Sequence, residues 1–356
     1  MDTLNSIPVR PLAALSPPIR ALLASADGSL YCGRHGRIYR SPNEGGRWSL
    51  RCAIPPEPLR RIAEFSRLAC RLLRHEIRAA QTLRDGTVVA ATRQGLWFAA
   101  PGDQRMHRSR VEAARGRPFS PPMTLTLGPA GRILWGEYNS SYRHGLPVNL
   151  YVSDDAGRSF AVARTLEPGS TLHVHNLLYD AAADGYWVFT GDYDDEPGIG
   201  WLSGDLARFE WVAKGRQEYR LVEAFDFGDC LLYATDTHLE PNAIIRFHKA
   251  TGRAERIQEL EGSCIYAGRV GGWLVVSTTV EPSAVNRSPY ASLWISRHGE
   301  KWHRVYQAEK DAWNARYFQF GSIVLPRGVA AGTTLLFSGQ ALKGIDGRGF
   351  VAMLPS

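Results

Sequence analysis

Lysine, paired cysteines and long apolar runs are scarce in this chain of 356 residues. Of its 42 basic residues only Lys214, Lys249, Lys301, Lys310 and Lys343 are lysines, so the formal charge of +7 is carried by arginine. Arginine bias of this kind accompanies a GC-rich coding sequence. It also suits an anionic partner, because the guanidinium fork matches carboxylate and phosphate. No basic block is interleaved with aromatics, which argues against nucleic acid. The cysteines Cys32, Cys52, Cys70, Cys230 and Cys264 are odd in number, widely spaced and without a CxxC. That excludes a disulfide framework or zinc ribbon and leaves them as small hydrophobes. No apolar run approaches the roughly 18 residues of a membrane-spanning helix. The first 23 residues carry Asp2, Pro8, Pro11, Pro17 and Pro18 and no continuous apolar segment, so the expected location is the cytoplasm. There is no phosphate-binding P-loop, no GxGxxG after a strand and no nucleophile elbow.

What the chain does contain is a pattern repeated along its length. A short apolar strand ends in a small residue followed by a polar one. The runs are Leu30–Arg34, Val88–Arg93, Ile133–Glu137, Trp187–Asp192, Leu231–Asp236, Leu274–Thr279 and Leu335–Gln340. Their spacing, roughly 40 to 60 residues, is that of propeller blades. The expected fold is an all-β, seven-bladed β-propeller with blades near 20–54, 75–110, 120–166, 170–214, 218–260, 262–310 and 315–356. The last span shows three clear strands, and Val9 to Leu15 is expected to supply the fourth and close the ring. No linker interrupts the pattern, so residues 1–356 read as one domain. Asp27-Gly28, Asp85-Gly86 and Gly271-Gly272 mark turns.

One segment departs from the β pattern. In 58–75, Leu59, Ile62, Phe65, Leu68, Ala69 and Leu72 recur at helical spacing, while Arg60, Arg61, Arg67, Arg71 and Arg74 take the rest of the surface. This predicts a short amphipathic helix. It either packs over a seam between blades or presents its arginines to an anionic membrane surface or an assembly protein.

Ser153-Asp154-Asp155-Ala156-Gly157-Arg158-Ser159-Phe160 fits the Asp-box pattern S-x-D-x-G-x-x-W/F. Ser41-Pro42-Asn43-Glu44-Gly45-Gly46-Arg47-Trp48 fits with Asn in place of Asp, and Ser296 to Trp302 is one residue short. Such a box is a tight hairpin in which Ser and Asp bond loop amides and Gly takes positive φ. The chain therefore resembles the Asp-box (BNR-repeat) propellers, a group that includes sialidases. Sialidases also carry an Arg-Ile-Pro motif; the nearest segment here, Gly36-Arg37-Ile38-Tyr39-Arg40, has no proline. With Gly136-Glu137-Tyr138, His173-Val174-His175 and Thr190-Gly191-Asp192, the chain looks most like BNR-type proteins described as glycosyl-hydrolase-like and found with polysaccharide-assembly genes. The resemblance implies a carbohydrate-related role.

The polar residues that end the second strands would ring one mouth of a propeller: Arg34, Arg93, Glu137, Asp192, Asp236, Thr279 and Gln340. His173 and His175 open an inner strand on the same face and, two apart, point to one side. With Asp192 they could hold a divalent metal ion, and His238 could add a ligand. The same histidines could serve acid–base catalysis, or simply bond the carboxylates. Glu137, Asp192 and Asp236 offer the paired carboxylates that glycoside hydrolysis requires. Arg34, Arg93, Arg220 and Arg316 could bind an anionic sugar, with Gln340 beside them, or pair with those carboxylates. Tyr138, Tyr142, Tyr193, Trp201 and Tyr219 could stack on sugar rings. Glu281 and the acidic run Asp194 to Glu196 rank below these.

The expectation is a hydrolase or lyase acting on an anionic glycan or glycan precursor through His173, His175, Asp192, Asp236 and Glu137. The alternative is a non-catalytic glycan-binding or scaffold propeller of a polysaccharide-assembly system, held at the inner face of the membrane by the helix at 58–75.

Overall fold

A computed structural model describes residues 7–56, 58, 64, 66–113, 119–139 and 143–355. Strands dominate, and nearly all pairings are antiparallel between neighbours in sequence. The local cause is in the chain: four- to eight-residue runs rich in Val, Ile, Leu and aromatics, separated by Gly- and Asp-bearing turns. At Asp27-Gly28 and Asp85-Gly86 the carboxylate accepts the amide two residues on, at 2.9 and 2.8 Å, and the glycine takes φ of 82° and 89°. Chain contacts divide the molecule into two compact units.

The first unit takes the chain up to Ile77, His238–Ile244, and the part from Arg256 onward. It contains three meanders. One is Arg20–Ala24, Leu30–Arg34, Arg37–Ser41 and Ser49–Ala53. Another is Cys264–Val270, Trp273–Val280, Tyr290–Ser296 and His303–Glu309. The third is Gly321–Val324, Thr334–Gln340 and Gly349–Met353, whose free edge is taken by Val9–Pro11. A short strand, Arg327–Ala330, runs parallel to both Arg20–Ala24 and Cys264–Val270 and joins the sheets. Leu293, Ile295, Ile323 and Phe337, all fully buried, lie in its core.

The second unit comprises Arg78–Thr237 and Ile245–Glu255. Its meanders are Ala79–Thr82, Val88–Thr92, Gly95–Ala99 and His107–Arg108; then Thr126–Leu127, Ile133–Gly136, Val148–Ser153 and Ser159–Leu166; then His173–Asp180, Gly185–Gly191, Gly198–Ser203 and Phe209–Lys214. Leu221–Asp226 pairs with Cys230–Thr235. Arg110–Val111 covers the outer edge of Ser159–Leu166 in parallel, which removes an exposed sheet edge. All five cysteines are buried and free.

The Ser-x-Asp/Asn turns join the third and fourth strands of their sheets. Ser153 Oγ accepts the Gly157 amide at 2.9 Å and donates to Asp155 Oδ1 at 2.8 Å, and the same Asp155 oxygen accepts the Ser159 amide at 2.9 Å. Ser41 and Asn43 repeat these bonds to Gly45 and Arg47. At Ser296 only the serine half is present, with the Gly299 amide at 2.9 Å. Trp48 and Trp302 each donate their indole N–H to the glycine carbonyl, both at 3.0 Å. The turn at Ser203 and Asp205 bonds differently: Asp205 accepts the Ala207 amide and Ser203 Oγ the Arg208 amide, both at 3.0 Å, and Leu206 takes a positive φ as Ala156 does in the box.

The predicted helix at 58–75 is described as Arg67–Leu73, capped by Ser66 and ended by Arg74 in the left-handed region. Leu59, Arg60, Arg61, Ile62 and Phe65 lie outside the described residues. The orientation of the described helix reverses the expectation. Leu72 is half exposed, whereas Arg71 is 1% exposed and donates to Asp311, Asp346 and the Phe318 carbonyl. Arg67 pairs with Asp346 at 2.9 Å and with Glu76. The surface that receives the helix is acidic, so Arg67 and Arg71 turn inward, while Arg74 at its end stays exposed. Among the described residues, no helix is long and apolar enough to cross one.

Glu76 also accepts from Arg20, at 3.3 Å. Burial would raise its carboxyl, but Arg67 and Arg20 outweigh burial and bring it to about 2. Its stabilising contribution is therefore complete above the ordinary glutamate range and is lost as pH falls through it toward 2. It is worth at most about 3 kcal/mol. The urea midpoint of the protein should fall from about pH 6 to about pH 3 more steeply than that of Glu76→Gln. Equal slopes would mean that Glu76 is not held in this way. Glu76→Gln itself should be less stable at both pH values, because it leaves two buried guanidinium groups short of a counter-charge.

Candidate functional site

In the second unit His173 and Asp192 stand at one end of two paired strands. His173 begins His173–Asp180, and Asp192 follows Gly185–Gly191, with His173 opposite Gly191. His175 has no partner in this ladder: the register slips between Val174 and Asn176. The slip is a β-bulge, and it re-aims a side chain out of simple alternation. The first strands beginning at Arg20, Leu221 and Cys264 slip at the same early position.

The two imidazoles are anchored from behind. His173 Nδ1 lies 2.9 Å from the Asn139 carbonyl oxygen, and His175 Nδ1 lies 2.9 Å from that of Leu221. A carbonyl only accepts, so each Nδ1 carries the hydrogen. In the neutral rings both Nε2 atoms are then bare lone pairs. They face each other at 3.1 Å, and Asp192 completes the group, with Oδ2 at 3.1 Å from His173 and Oδ1 at 3.2 Å from His175. Three acceptor groups this close repel unless a proton on one imidazole or a metal cation lies among them. A divalent ion bound at about 2.1 Å sets its donors about 3.0 Å apart in an octahedral set and about 3.4 Å apart in a tetrahedral one. The 3.1 Å between the two Nε2 atoms falls in this range and each lies as near to one oxygen of Asp192, so His173, His175 and Asp192 offer three ligand groups to such an ion. The backbone carbonyls behind the rings are the outer partners that metal-bound histidines use.

The surroundings hold this group in its charged pattern. Both histidines are buried. Burial depresses His175 as a base, only partly offset by Asp192. Burial would raise the Asp192 carboxyl, but the two imidazoles, when a proton rather than a metal ion occupies the Nε2 face, and Arg220 outweigh it and hold it well below the usual carboxylate range. Arg220 Nη2 is 2.8 Å from Asp192 Oδ1 and 3.9 Å from Asp236 Oδ2. Gln217 Nε2 donates to the Asp192 carbonyl at 3.1 Å, and Glu196 accepts the Asp192 amide at 3.2 Å. Gly191 leaves room for the ring, since a Cβ there would sit 2.8 Å from His175 Cε1. Tyr138 stacks on His173 at 4.1 Å and 20°, and the Arg78 guanidinium lies 4.6 Å from the Tyr138 ring centroid.

Of the residues expected at the mouth, the structure brings His173, His175, Asp192, Tyr138 and Arg220 together, with Asp236 beside Arg220. The Glu137 carboxylate is not among them: it accepts the Asn149 amide at 2.9 Å and lines a cavity with Trp135. Tyr138, the next residue, stacks on His173 instead. Arg93 is exposed at the turn after Val88–Thr92. Tyr193 is exposed, Tyr219 packs on Phe247 and Trp201 on Trp187, well down its strand. Tyr142 lies outside the described residues. Arg34, His238, Thr279, Glu281, Arg316 and Gln340 belong to the first unit. There Gln340 accepts from Arg20 at 2.6 Å, Thr279 bonds Ser322, and Arg316 lies over Tyr317. Sequence reasoning missed Arg78, although it stands immediately before an inner strand and the rule that found His173 would have found it. It also missed the carbonyls of Asn139 and Leu221, which no residue type announces.

Nitrogen-15 NMR of the metal-free protein above neutral pH should show His173 and His175 as Nδ1–H tautomers. An Nε2–H tautomer on either ring would contradict the anchoring.

No protein-family model and no curated protein sequence matches the chain. Solved structures do. An oligogalacturonate lyase in complex with manganese is similar over 98% of this chain and 94% of its own, at 11% identity and a TM-score of 0.61. A mitotic checkpoint complex chain covers 100% and 96%, at 9% identity and 0.59. YCF48 bound to D1 peptide covers 100% and 99%, at 10% identity and 0.57. Likeness at such identities speaks for architecture alone, and the architecture it gives this chain is the β-propeller.

Proposed function

We propose that this protein is a seven-bladed propeller enzyme that cleaves an anionic oligosaccharide, with the His173, His175 and Asp192 group as its metal-holding centre. Seven first strands, beginning at Arg20, Ala79, Thr126, His173, Leu221, Cys264 and Gly321, support the blade number. The serine–acid turns support placing it among the Asp-box propellers. The observation that carries the functional reading is the convergence of two bare Nε2 atoms on one carboxylate, each ring fixed from behind by a carbonyl. The likeness to a manganese-bound oligogalacturonate lyase points the reading to a lyase and a uronate substrate.

Eliminative cleavage of a uronate breaks the C–H bond beside the carboxylate, whose proton passes to a base, and the C–O bond to the leaving sugar, whose oxygen takes up a proton from an acid or water, and forms a C=C bond between the two carbons. The bound ion would neutralise the substrate carboxylate and so acidify that C–H bond. The chain's own residues supply the rest. Arg220 positions Asp192. Tyr138 braces the His173 ring. Arg78, over Tyr138, adds positive charge for an anionic substrate. Asp236 flanks Arg220 on its other side.

A second reading, a binding propeller without catalysis, is favoured by the similar scores of chains solved in a checkpoint complex and with a bound peptide. One experiment separates them. Protein dialysed against manganese and freed of excess should retain about one equivalent. It should raise ultraviolet absorbance with oligogalacturonate as the conjugated double bond forms. His173→Ala/His175→Ala should lose both properties while keeping its circular dichroism. Retained metal without turnover would favour binding alone; no retained metal in the native protein would remove the centre from the reading.

A further inference from the structure

The first unit displays three aromatic rings on one firmly held turn. Within residues 313–320, Trp313, Tyr317 and Phe320 are 48%, 54% and 36% exposed. Apolar side chains scattered singly over a surface are ordinary, but a group of them marks an interaction site. The turn is anchored from below. Asp311 accepts the Trp313 amide at 3.1 Å and the buried Arg71 at 2.5 Å, and Arg71 Nε donates to the Phe318 carbonyl at 2.8 Å. Lys310 Nζ donates to the Trp313 carbonyl at 2.8 Å. Asn314 caps the short helix Ala315–Phe318, accepting the Arg316 amide at 2.9 Å. Trp313 packs on Phe318 at 5.2 Å and 56°.

Gln319 then takes φ of 70° and ψ of 156°, a conformation nearly confined to glycine. With it Gln319 is buried, at 8% exposed, between Tyr317 and Phe320, which stay open. Another residue type persists in that conformation only where its surroundings over-determine it, and such positions gather at ligand sites. The rings therefore stand on fixed backbone, and a ligand that lands on them has little to order.

The charges beside the rings select the ligand. The nearby acids are turned to the interior: Asp311 pairs with Arg71 and Lys310, and Asp346 with Arg67 and Arg71. Arg316 has no ion pair among the described residues, and its guanidinium lies 5.9 Å from the Tyr317 ring centroid. A cation thus stands beside an open ring with no carboxylate to neutralise it. Polar Asn314 and Arg316 fall between the aromatic residues, so apolar faces are interleaved with hydrogen-bonding groups. A sugar ring has the matching make-up, with a C–H face to lie on an aromatic ring and hydroxyls at its edge. A carboxylate on that sugar matches the planar fork of arginine. A stable protein partner would engage about 20–30 residues on this side, far more than one turn presents.

We infer that the turn 313–320 is a binding platform for an anionic oligosaccharide, with Trp313 and Tyr317 stacking on sugar rings and Arg316 pairing with a uronate carboxylate. The uronate class rests on the function proposed above; the platform itself rests on the first unit alone and involves no metal ion.

The test titrates trigalacturonate into the full chain in EDTA, with a neutral galactose trimer as the control. Saturation-transfer NMR and tryptophan fluorescence report binding. The charged trimer should bind, and the neutral one more weakly. Tyr317→Ala should weaken binding of the charged trimer about tenfold. Arg316→Gln should remove the preference for the charged trimer and most of the salt dependence. His173→Ala/His175→Ala should bind it as the native protein does. A failed metal centre therefore leaves this result standing, and a failed platform leaves metal retention standing. The inference is overturned if trigalacturonate does not bind the native protein in EDTA, if Tyr317→Ala binds it equally well, or if the double histidine variant loses it. It is equally overturned if the native protein is dimeric and Tyr317→Ala makes it monomeric, since the rings would then be an interface between copies. Should Tyr317→Ala lose its circular dichroism, Arg316→Gln carries the decision.

Discussion

Two backbone carbonyls, those of Asn139 and Leu221, fix the chemistry of the candidate centre. Each holds an imidazole by its Nδ1 hydrogen, and that assignment turns both Nε2 lone pairs inward. Without it the three side chains would be a common pairing of histidines with an acid, each free to choose its tautomer. With it, the pocket has an excess of electron pairs that a positive ion can relieve. Arg220 supplies positive charge on the flank of Asp192, but its guanidinium donates from one side only and leaves the space between the rings to another cation. The bulge at His175 belongs to the same constraint, since it is what lets the second ring reach the Leu221 carbonyl.

The two units bury charge in different ways. In the first, Arg20, Arg67 and Arg71 meet Glu76, Asp311 and Asp346, so nearly every charge has an opposite neighbour. Such a network specifies a docking geometry for the helix Arg67–Leu73, and removing one member is costly because its partners stay buried. In the second unit the same type of burial is left unbalanced at the two Nε2 atoms. A buried polar group with an incomplete set of partners is where function concentrates, because folding alone gives no return for it.

Much of this was readable from the residues. Apolar runs ending in a small and then a polar residue located the second strands and placed Asp192 and Asp236 at strand ends, since strand alternation and turn chemistry are local. The Ser-x-Asp-x-Gly pattern predicted its hairpin bond by bond for the same reason. What failed was whatever depends on the partner surface. The helical stripe in 58–75 gave a helix in its described part, Arg67–Leu73, but periodicity cannot tell that the receiving surface is acidic, and Arg71 turned inward where Leu72 was expected. The turn at Ser203 escaped because Ala207 stands where the box pattern has glycine, so no motif marks it.

Glu137 is the most instructive of these misplacements. Its position in the repeat is equivalent to that of Asp192, so register alone put both carboxylates in one mouth. The outcome depends on which side of the strand end each follows. Glu137 bonds the Asn149 amide in its own sheet, whereas Asp192 is turned toward His173 and His175 and secured there by Arg220, Gln217 and Glu196. One step along the chain, Tyr138 occupies the side that Glu137 left and closes over His173. Two adjacent residues thus serve two environments, Tyr138 as an aromatic brace for His173 and Glu137 as a buried acceptor within its own sheet. That division keeps a third carboxylate away from a group whose charge balance Arg220 already sets.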